Sequence, residues 1–477
     1  MLFPTIEFAV FFAAIFPVAW ALNERNTAKK LLLVAASYLF YSFWDWRFVL
    51  LLFGSSAGNF LIGLVLARLD TEPRLRRAVL IAGVGANLLL LCYFKYYNFF
   101  AIEVVNSLAT LGLRLDVSLV EVTLPVAISF LTFHGISYVV DVYRRTIPAT
   151  RSLLDVLLYV SFFPHLVAGP IVRASEFLPQ AELRSDPDEI ELGRSAMLIL
   201  GGLFKKVVIA NYIGTNFVDG VFADPASQTS LDLVLASYAY AIQIYCDFSA
   251  YTDIAIGVAS LLGYKFPQNF DQPYRATSLR EFWRRWHITL SRWLRDYLYI
   301  PLGGNRRGQP RALANLMITM VLGGLWHGAN VTFMIWGAIH GAALVLEHLV
   351  AGRGRDGSAS LSRPTSPVRA VLGWLVTLHV VCAAWIFFRS PSLEAAFTYF
   401  ARMAQSGEWT TTMSPFVAAL VLIGAATQFV PPDMQRRLGR GFDAAPMPAK
   451  IALCTAAIYA IAVFAPAGVP PFIYFQF

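Results

Sequence analysis

A histidine stands inside an apolar stretch, residues 322–341, that reads LGGLWHGANVTFMIWGAIHG. It is His327, and it is bracketed by the glycines Gly323, Gly324 and Gly328. Glycines let helix backbones approach closely in a membrane, where ionisable side chains are costly and usually face a cavity or a partner. A neutral imidazole can take a proton from a hydroxyl group, so His327 is a candidate general base. The alternative is a histidine that hydrogen-bonds between helices, since His134 and His340 also have apolar neighbours.

A second chemical pattern lies in residues 279–300, which are dense in arginine and tryptophan. We expect one helix there, with Ser278 as its N-cap and Pro301 at its end. One arc of that helix would carry the side chains of Trp283, Trp286, Leu290, Trp293 and Tyr297. A separate arc would carry the guanidinium groups of Arg284, Arg285, Arg292 and Arg295.

This two-sided pattern is typical of a helix at the membrane boundary, because tryptophan favours the interface and arginine reaches water or lipid phosphate. Such a helix needs only an anchoring role. Four guanidiniums on one face could also bind a phosphate-rich acyl donor such as coenzyme A. His287 lies between the two arcs and favours the binding role, because an anchor has no need of an imidazole.

Few other residues form a pattern that could do chemistry. Asp247 and Asp253 are six residues apart, about 120° around a helix, so they are not a matched carboxylate pair. We expect them to bind arginine or backbone donors. The sequence has no GxSxG, HExxH or phosphate-binding glycine motif, and its four scattered cysteines include no CxxC pair. Neither disulfides nor a metal site is therefore expected.

The composition indicates an integral membrane protein. Of the 477 residues, 57% are hydrophobic and 14% are charged, whereas soluble domains carry about 25% charged residues. Apolar runs of about 20 residues can cross a bilayer. Candidates lie near residues 2–22, 31–66 (two passes), 78–102, 119–141, 152–172, 194–214, 231–263, 311–349 (two passes), 367–388, 414–430 and 449–466. The first run has no basic residues before it, so we expect a retained helix with its N-terminus outside.

Three polar stretches interrupt the apolar pattern: residues 173–193, 265–311 and 351–368. The first is expected to be a surface loop with a short helix, and the third a mobile cytoplasmic linker in a single domain spanning 1–477. Cytoplasmic loops are expected at the basic clusters Lys29/Lys30, Arg74/Arg76/Arg77, Lys205/Lys206, Arg353/Arg355/Arg363 and Arg436/Arg437/Arg440. The net charge of +8 is thus a positive-inside signature, and no nucleic-acid partner is expected.

Several long motifs resemble the membrane-bound O-acyltransferase family, and within it the bacterial branch that contains the membrane subunit of alginate O-acetylation. They are YCDFSAYTDIAIGVASLLGY, FPQNFDQPYRATSLREFWRRWHITLSRWLRDYLYIPLGGNRRG and GGLWHGANVTFMIWGAIHG. LPVAISFLTFHGISYVVDVYR, SFFPHLVAGPIVR, GLFKKVVIAN and the terminal PFIYFQF are similar to the same branch. The resemblance runs from about residue 31 to the end.

The resemblance implies an all-α, polytopic fold. About eleven transmembrane helices, with re-entrant or interfacial helices, would surround a central funnel. The family's active histidine corresponds to His327, and its second site position, histidine or asparagine in different members, corresponds to His287. Residues expected to bind the substrate or the acyl donor are Arg284, Arg285, Trp283, Trp286, Trp326, Asn330, Tyr245 and Asp247.

The resemblance also implies a reaction and partners. An acetyl group would pass from a cytoplasmic donor, acetyl-CoA or an acyl carrier thioester, across the bacterial inner membrane, with no tightly bound cofactor. A periplasmic SGNH-hydrolase-like or related acetyltransferase would then transfer it to an exopolysaccharide such as alginate. Membrane lipids would surround the chain. The polysaccharide, the type of donor and the oligomeric state stay open.

Two other functions fit parts of the pattern. One is transfer of a D-alanyl group from a carrier protein to teichoic acid, since that branch shares the histidine motif. The chain beyond residue 400, ending in PFIYFQF, favours the polysaccharide branch instead. The other is a transporter of polysaccharide or lipid-linked saccharide without acyl chemistry. It would explain the many helices but not His327 in its motif, and the sequence shows no internal repeat.

Overall fold

The computed structural model describes residues 1–102, 122–350, 366–405, 407 and 410–464, and their regular elements are helices. The chain divides into two compact units, residues 1–195 with 255–267 and residues 196–254 with 268–477. Most of the predicted linker, residues 351–365, and the terminal PFIYFQF lie outside the described residues. The prediction of a single domain stays a prediction.

The first unit is helical, and two of its helices begin at side-chain caps. Its longer elements are Ile6–Ala21, Asn26–Ser42, Val49–Arg68, Pro73–Leu91, Ile128–Tyr143, Leu153–Ser161 and Ala174–Glu182. Thr5 accepts a hydrogen bond from the Phe8 amide, and Ser152 accepts one from the Asp155 amide, so each satisfies a donor that the first helical turn leaves open. The short helix Ala174–Glu182 confirms the element expected within residues 173–193.

One predicted span in this unit is wrong. Residues 152–172 form the helix Leu153–Ser161 and the four-residue helix Phe163–Leu166, each too short to cross a bilayer. Pro164 has no amide hydrogen and stands in the first turn of the second helix, where that lack costs nothing. The Phe163 amide instead donates to the Ser37 hydroxyl at 3.0 Å.

The second unit contains the long helices of the C-terminal half. Its elements include Pro367–Arg389, Leu393–Ala404, Pro415–Ala426, Pro432–Ala444, Met447–Val463 and the pair Gln309–His327 and Val331–Val350. Two further helices, Leu192–Leu203 and Ser230–Leu261, begin or end in the first unit. Among the residues that the structure describes, five helical segments are long and apolar enough to cross a membrane: Trp46–Arg68, Pro73–Ile102, Leu192–Ala223, Val331–Val350 and Pro367–Arg389. The shorter apolar helices are Ile6–Ala21, Pro415–Phe429 and Met447–Val463.

Both lysine pairs predicted to mark cytoplasmic loops lie in helices instead, and so do the clusters Arg74/Arg76/Arg77 and Arg436/Arg437/Arg440. The cluster Arg353/Arg355/Arg363 lies outside the described residues. Lys206 forms an ion pair with Asp247 at 2.6 Å, and both side chains are buried. Lys205 pairs with Asp253 at 2.5 Å. Each aspartate therefore pairs with a lysine, where arginine or backbone donors were expected. Lys30 is likewise buried and pairs with a carboxylate in the first unit.

The buried Lys206–Asp247 pair predicts that removing one partner destabilises the protein more than replacing both. Lys206→Met leaves the Asp247 carboxylate without its cation, so it should cost about 3–5 kcal/mol of unfolding free energy. Adding Asp247→Leu to Lys206→Met should recover most of that loss. Thermal unfolding of the purified protein in detergent micelles measures both.

The matched control is Lys265→Met. Lys265 also pairs with a carboxylate, Glu189, at 2.6 Å, but both side chains are largely exposed. Its substitution should leave the unfolding midpoint unchanged. Equal losses at Lys206 and Lys265 would show that burial of the first pair has no energetic consequence.

Candidate active site

The arginine- and tryptophan-rich segment is bent at its candidate catalytic residue. The prediction of one helix over residues 279–300 is wrong. The chain forms the helices Leu279–Arg285 and Ile288–Leu294, followed by the π-helix Arg295–Tyr299. Ser278 is the N-cap, as predicted, and accepts from the Glu281 amide. The bend arises because His287 has left-handed backbone angles, φ 42° and ψ 56°.

A neighbouring irregular segment, residues 269–271, satisfies backbone groups that the bend leaves open. The Ile288 amide donates to the Asn269 carbonyl, and the Asp271 amide donates to the Arg285 carbonyl, both at 2.9 Å. A left-handed conformation at a residue with a β-carbon costs about 1–3 kcal/mol and persists where its surroundings impose it. The two backbone hydrogen bonds are such a constraint on His287.

The side chain of Asn269 fixes the orientation of the His287 ring. Its Oδ1 atom accepts from the Thr289 amide at 3.1 Å and from the Thr289 hydroxyl at 2.9 Å. The backbone amide can only donate, so the acceptor atom is the carboxamide oxygen. His287 Nδ1 lies 3.1 Å from the same oxygen and must therefore carry the proton.

This hydrogen bond leaves the Nε2 lone pair of His287 available. The residue is fully buried, and Nε2 has no hydrogen-bond partner among the described residues. Phe248 lies edge-on at 4.7 Å between ring centroids, and Phe270 lies nearly parallel at 6.3 Å. His287 is thus a neutral imidazole in an aromatic pocket, with its basic nitrogen held in one direction.

The second candidate, His327, is the last residue of the helix Gln309–His327. This helix and Val331–Val350 form what we call the histidine hairpin. Gly324 and Gly337 lie where the two helices meet, and a β-carbon on either would collide with backbone of the opposite helix. The glycines therefore permit the close approach that the sequence predicted, and this packing sets the position of His327.

Aromatic rings surround His327 and connect it to the other imidazole. Trp326 and Trp336 lie 5.0 Å from its ring centroid, and Phe388 lies at 5.3 Å. Trp326 also lies 6.4 Å from the His287 ring. The structure thus brings both predicted histidines into contact with the same indole.

The predicted arginine face does not form. The bend at His287 separates its members between two helices. Arg285 donates to Asp271 at 2.8 Å and to Glu281 at 3.0 Å, so its guanidinium is already used within the fold. Arg295 pairs with the adjacent Asp296. Arg284 is exposed and remains a candidate for an anionic group.

The predicted tryptophans also lie elsewhere than expected. Trp286 is 1% exposed, and it packs at 5.0 Å against both Phe270 and Trp385. Trp293 is buried as well. A tryptophan that anchors a helix at the membrane interface would contact lipid headgroups, so these two have a packing role instead.

The other predicted binding residues have contacts that favour positioning roles. Asn330 accepts from the Thr332 amide at 2.9 Å and donates to the Pro391 carbonyl at 3.0 Å, so it begins the second helix of the hairpin. Tyr245 is buried at 6.0 Å from Phe270, and Asp247 pairs with a lysine. Within the described ranges, no three His, Cys, Asp or Glu side chains form a group that could hold a metal ion.

Sequence reasoning missed Asn269, Trp336 and Phe388. Asn269 does lie within a motif that carries the family resemblance, FPQNFDQPYR. No periodicity identifies it, because its role depends on a contact with a residue 18 positions away. Trp336 lies in the same apolar stretch as His327 and there resembles any other core residue.

Residues 87–356 match the family model of MBOAT, the membrane-bound O-acyltransferase family. That range is more than half of the chain and includes both histidines. The chain belongs to this family. It is therefore a multi-pass membrane enzyme that transfers acyl groups to oxygen, and a transporter without acyl chemistry is excluded.

Individual relatives agree with this assignment. The acyltransferase is 40% identical over 409 residues to the "Probable alginate O-acetylase AlgI" of Pseudomonas syringae, covering 86% of this chain and 76% of that protein. It is 38% identical over 396 residues to the "Peptidoglycan O-acetyltransferase" of Helicobacter pylori, covering 77% and 72%. The "Teichoic acid D-alanyltransferase" of Streptococcus thermophilus is 27% identical over 279 residues, covering 55% and 67%.

The hydrogen bond between Asn269 and His287 predicts a loss of activity without loss of the imidazole. Asn269→Ala should lower acyl transfer about a hundredfold, because the ring can then rotate or change tautomer and move Nε2. Transfer of labelled acetyl groups in membrane vesicles measures the loss.

Thr289→Val is the control for this variant. It removes the other side-chain hydrogen bond to the same Asn269 oxygen but keeps the one from the Thr289 backbone amide. Activity should stay near that of the native enzyme. A fully active Asn269→Ala variant would mean that the carboxamide does not orient the ring.

Adjacent glycines in the histidine hairpin predict different outcomes for the same substitution. Gly324→Ala forces a methyl group against the Phe333 backbone, so it should cost about 1–3 kcal/mol and lower activity by displacing His327. Gly323→Ala meets only the movable end of Leu294, at 3.2 Å, and should have little effect. Thermal unfolding and acetyl transfer measure both; equal effects would contradict the packing argument.

Proposed function

We propose that this acyltransferase moves an acetyl group from a cytoplasmic thioester, acetyl-CoA or an acyl carrier, across the bacterial inner membrane. A periplasmic SGNH-hydrolase-like or related acetyltransferase receives the group and O-acetylates an exopolysaccharide such as alginate. About eleven transmembrane helices enclose the funnel through which the group passes. The chain is similar over most of its length to probable alginate O-acetylases, and this similarity supports an exopolysaccharide such as alginate as the acceptor.

The observation that carries the proposal is the arrangement of the two imidazoles. His287 presents a buried lone pair held by Asn269, and His327 ends a tightly packed helix, with Trp326 in contact with both rings. Two neutral imidazoles in an aromatic, water-poor environment suit proton transfer beside a thioester that bulk water would hydrolyse.

In the proposed reaction, His327 acts as the general base. It takes the proton of the acceptor hydroxyl while the hydroxyl oxygen bonds to the acetyl carbonyl carbon. The carbon–sulfur bond then breaks, and the proton passes to the sulfur that leaves. His287 orients an N–H or O–H group of the bound substrates, because its Nε2 can only accept a hydrogen bond. Exposed Arg284 contacts the phosphate-rich part of the donor.

Peptidoglycan is the second candidate acceptor. The peptidoglycan O-acetyltransferase of Helicobacter pylori is nearly as similar to this chain as the probable alginate O-acetylases are. D-alanyl transfer has weaker support, because the D-alanyltransferases match at 27% identity over 55% of the chain. Acetyl esters on isolated exopolysaccharide and on isolated peptidoglycan, compared between the native host and a deletion strain, distinguish the two polymers.

Removal of each imidazole tests the mechanism. His327→Ala should lower acetyl transfer by about 10²–10⁴-fold, since it removes the general base. His287→Ala should also lower transfer strongly. The measurement is incorporation of labelled acetyl groups from acetyl-CoA by inner-membrane vesicles of the deletion strain carrying each variant.

Detergent-extracted variants must elute and unfold like the native protein, so that loss of activity is not loss of fold. The exposed residue His379 provides a control, because His379→Ala should remain active. Native-level transfer by the His327 and His287 variants would overturn the mechanism. Vesicles that use only a D-alanyl carrier would overturn the proposed donor.

A further inference from the structure

Beside His327 lies a group of three aromatic side chains, Trp283, Trp336 and His340, which we call the indole–imidazole cluster. His340 lies 4.8 Å from Trp336 and 5.2 Å from Trp283 between ring centroids. The two indoles lie 5.7 Å apart. Each ring therefore contacts the other two.

The polar atoms of this cluster are buried and lack partners. Nε1 of Trp283, Nε1 of Trp336 and both ring nitrogens of His340 have no hydrogen-bond partner among the described residues. Trp336 is 1% exposed, and His340 is fully buried. The neighbouring Trp385 differs, because its Nε1 donates to the Tyr274 hydroxyl at 3.1 Å.

Unpaired groups of this kind are costly. Most buried polar side-chain atoms have a hydrogen-bond partner, and an exception needs an explanation. Four such atoms within three touching side chains are unlike an isolated packing defect. A bound ligand that forms hydrogen bonds with these atoms would offset the cost of burying them together.

The chemistry of the atoms indicates the type of ligand group. An indole nitrogen only donates, and a neutral imidazole donates through one nitrogen and accepts through the other. The cluster therefore offers three donors and one acceptor, and it carries no formal charge. Such a site suits a carbonyl oxygen, which has two lone pairs to accept hydrogen bonds.

The cluster is joined directly to the candidate base. Trp336 lies 5.0 Å from the His327 ring and so contacts both His327 and His340. Trp336 and His340 are four residues apart on the helix Val331–Val350, so they share one face. The close packing of the histidine hairpin holds this face next to the end of the helix that carries His327.

We propose that the indole–imidazole cluster binds the carbonyl oxygen of the acyl donor and stabilises the negative charge that develops on it. This inference rests on the proposed function and adds the side chains of the cluster to the same site. When the acceptor oxygen bonds to the carbonyl carbon, the electron pair of the carbonyl π bond moves onto its oxygen. The donors stabilise that oxyanion until the carbonyl re-forms and the carbon–sulfur bond breaks.

His340→Phe tests the assignment with two measurements that move independently. It removes two unpaired nitrogens, so the unfolding midpoint in detergent should hold steady or rise. The kcat for acetyl transfer should fall about 10²–10³-fold, with little change in the KM for acetyl-CoA, because the lost donor acts on the transition state. His340→Gln, which keeps a donor, should recover part of the activity.

Trp336→Phe and Trp283→Phe extend the test, since each removes one N–H donor and keeps an aromatic ring. Both should lower kcat more than KM changes. The matched control is His134→Phe, at another fully buried histidine whose two ring nitrogens have no partner among the described residues. His134→Phe should keep native kcat.

The outcomes separate this inference from the proposed function. If His327→Ala abolishes transfer but His340→Phe keeps native kcat, the cluster does not bind the carbonyl oxygen. Equal losses in His134→Phe and His340→Phe would also overturn it, because buried histidines would then matter for a general reason. If native vesicles transfer no acetyl group from either acetyl-CoA or an acetylated carrier, the proposed function itself fails.

Discussion

The candidate site depends on one oxygen atom. Oδ1 of Asn269 accepts hydrogen bonds from the His287 ring and from the amide and hydroxyl of Thr289. The backbone carbonyl of the same residue accepts from the Ile288 amide and helps to hold a left-handed bend that an uninterrupted helix would not contain. Next to this bend, the Trp286 side chain packs among other aromatic rings. The bend also separates the arginines that a straight helix would align. Asn269 therefore contributes to the catalytic geometry through its side chain and to the local fold through its backbone carbonyl.

Burial of charge in a membrane protein imposes a second constraint. Lys206 and Asp247 form a pair inside the protein, and Lys30 forms another with Asp155 in the first unit. Removing a charge from water is costly unless a partner compensates it, so such lysines occur only opposite a carboxylate or other acceptors. The neutral imidazoles avoid this cost, which makes histidine the suitable base among these helices.

The sequence predicts the helices better than their interruptions. Apolar runs located most of the helices in the structure, including both helices of the histidine hairpin. They failed where a local feature overrode hydropathy. Pro164 was a visible signal for the break within residues 152–172. The bend at His287 had none, because it depends on hydrogen bonds to Asn269, a residue distant along the chain. Basic residues misled for a related reason, since charge counts cannot distinguish a lysine in a loop from one paired inside a helix.

The two histidines differ in how they are held, and this explains why one was easier to interpret than the other. Packing positions His327: the glycines of the hairpin allow backbone to meet backbone, and glycine spacing is visible in a sequence. A hydrogen bond orients His287, and its acceptor belongs to an irregular segment with no periodicity. The bases of a site built on packed helices can thus be found from sequence, while the residues that aim them require the fold. The indole–imidazole cluster belongs to the second kind, because its unpaired nitrogens are recognisable only once every neighbouring donor and acceptor has been placed.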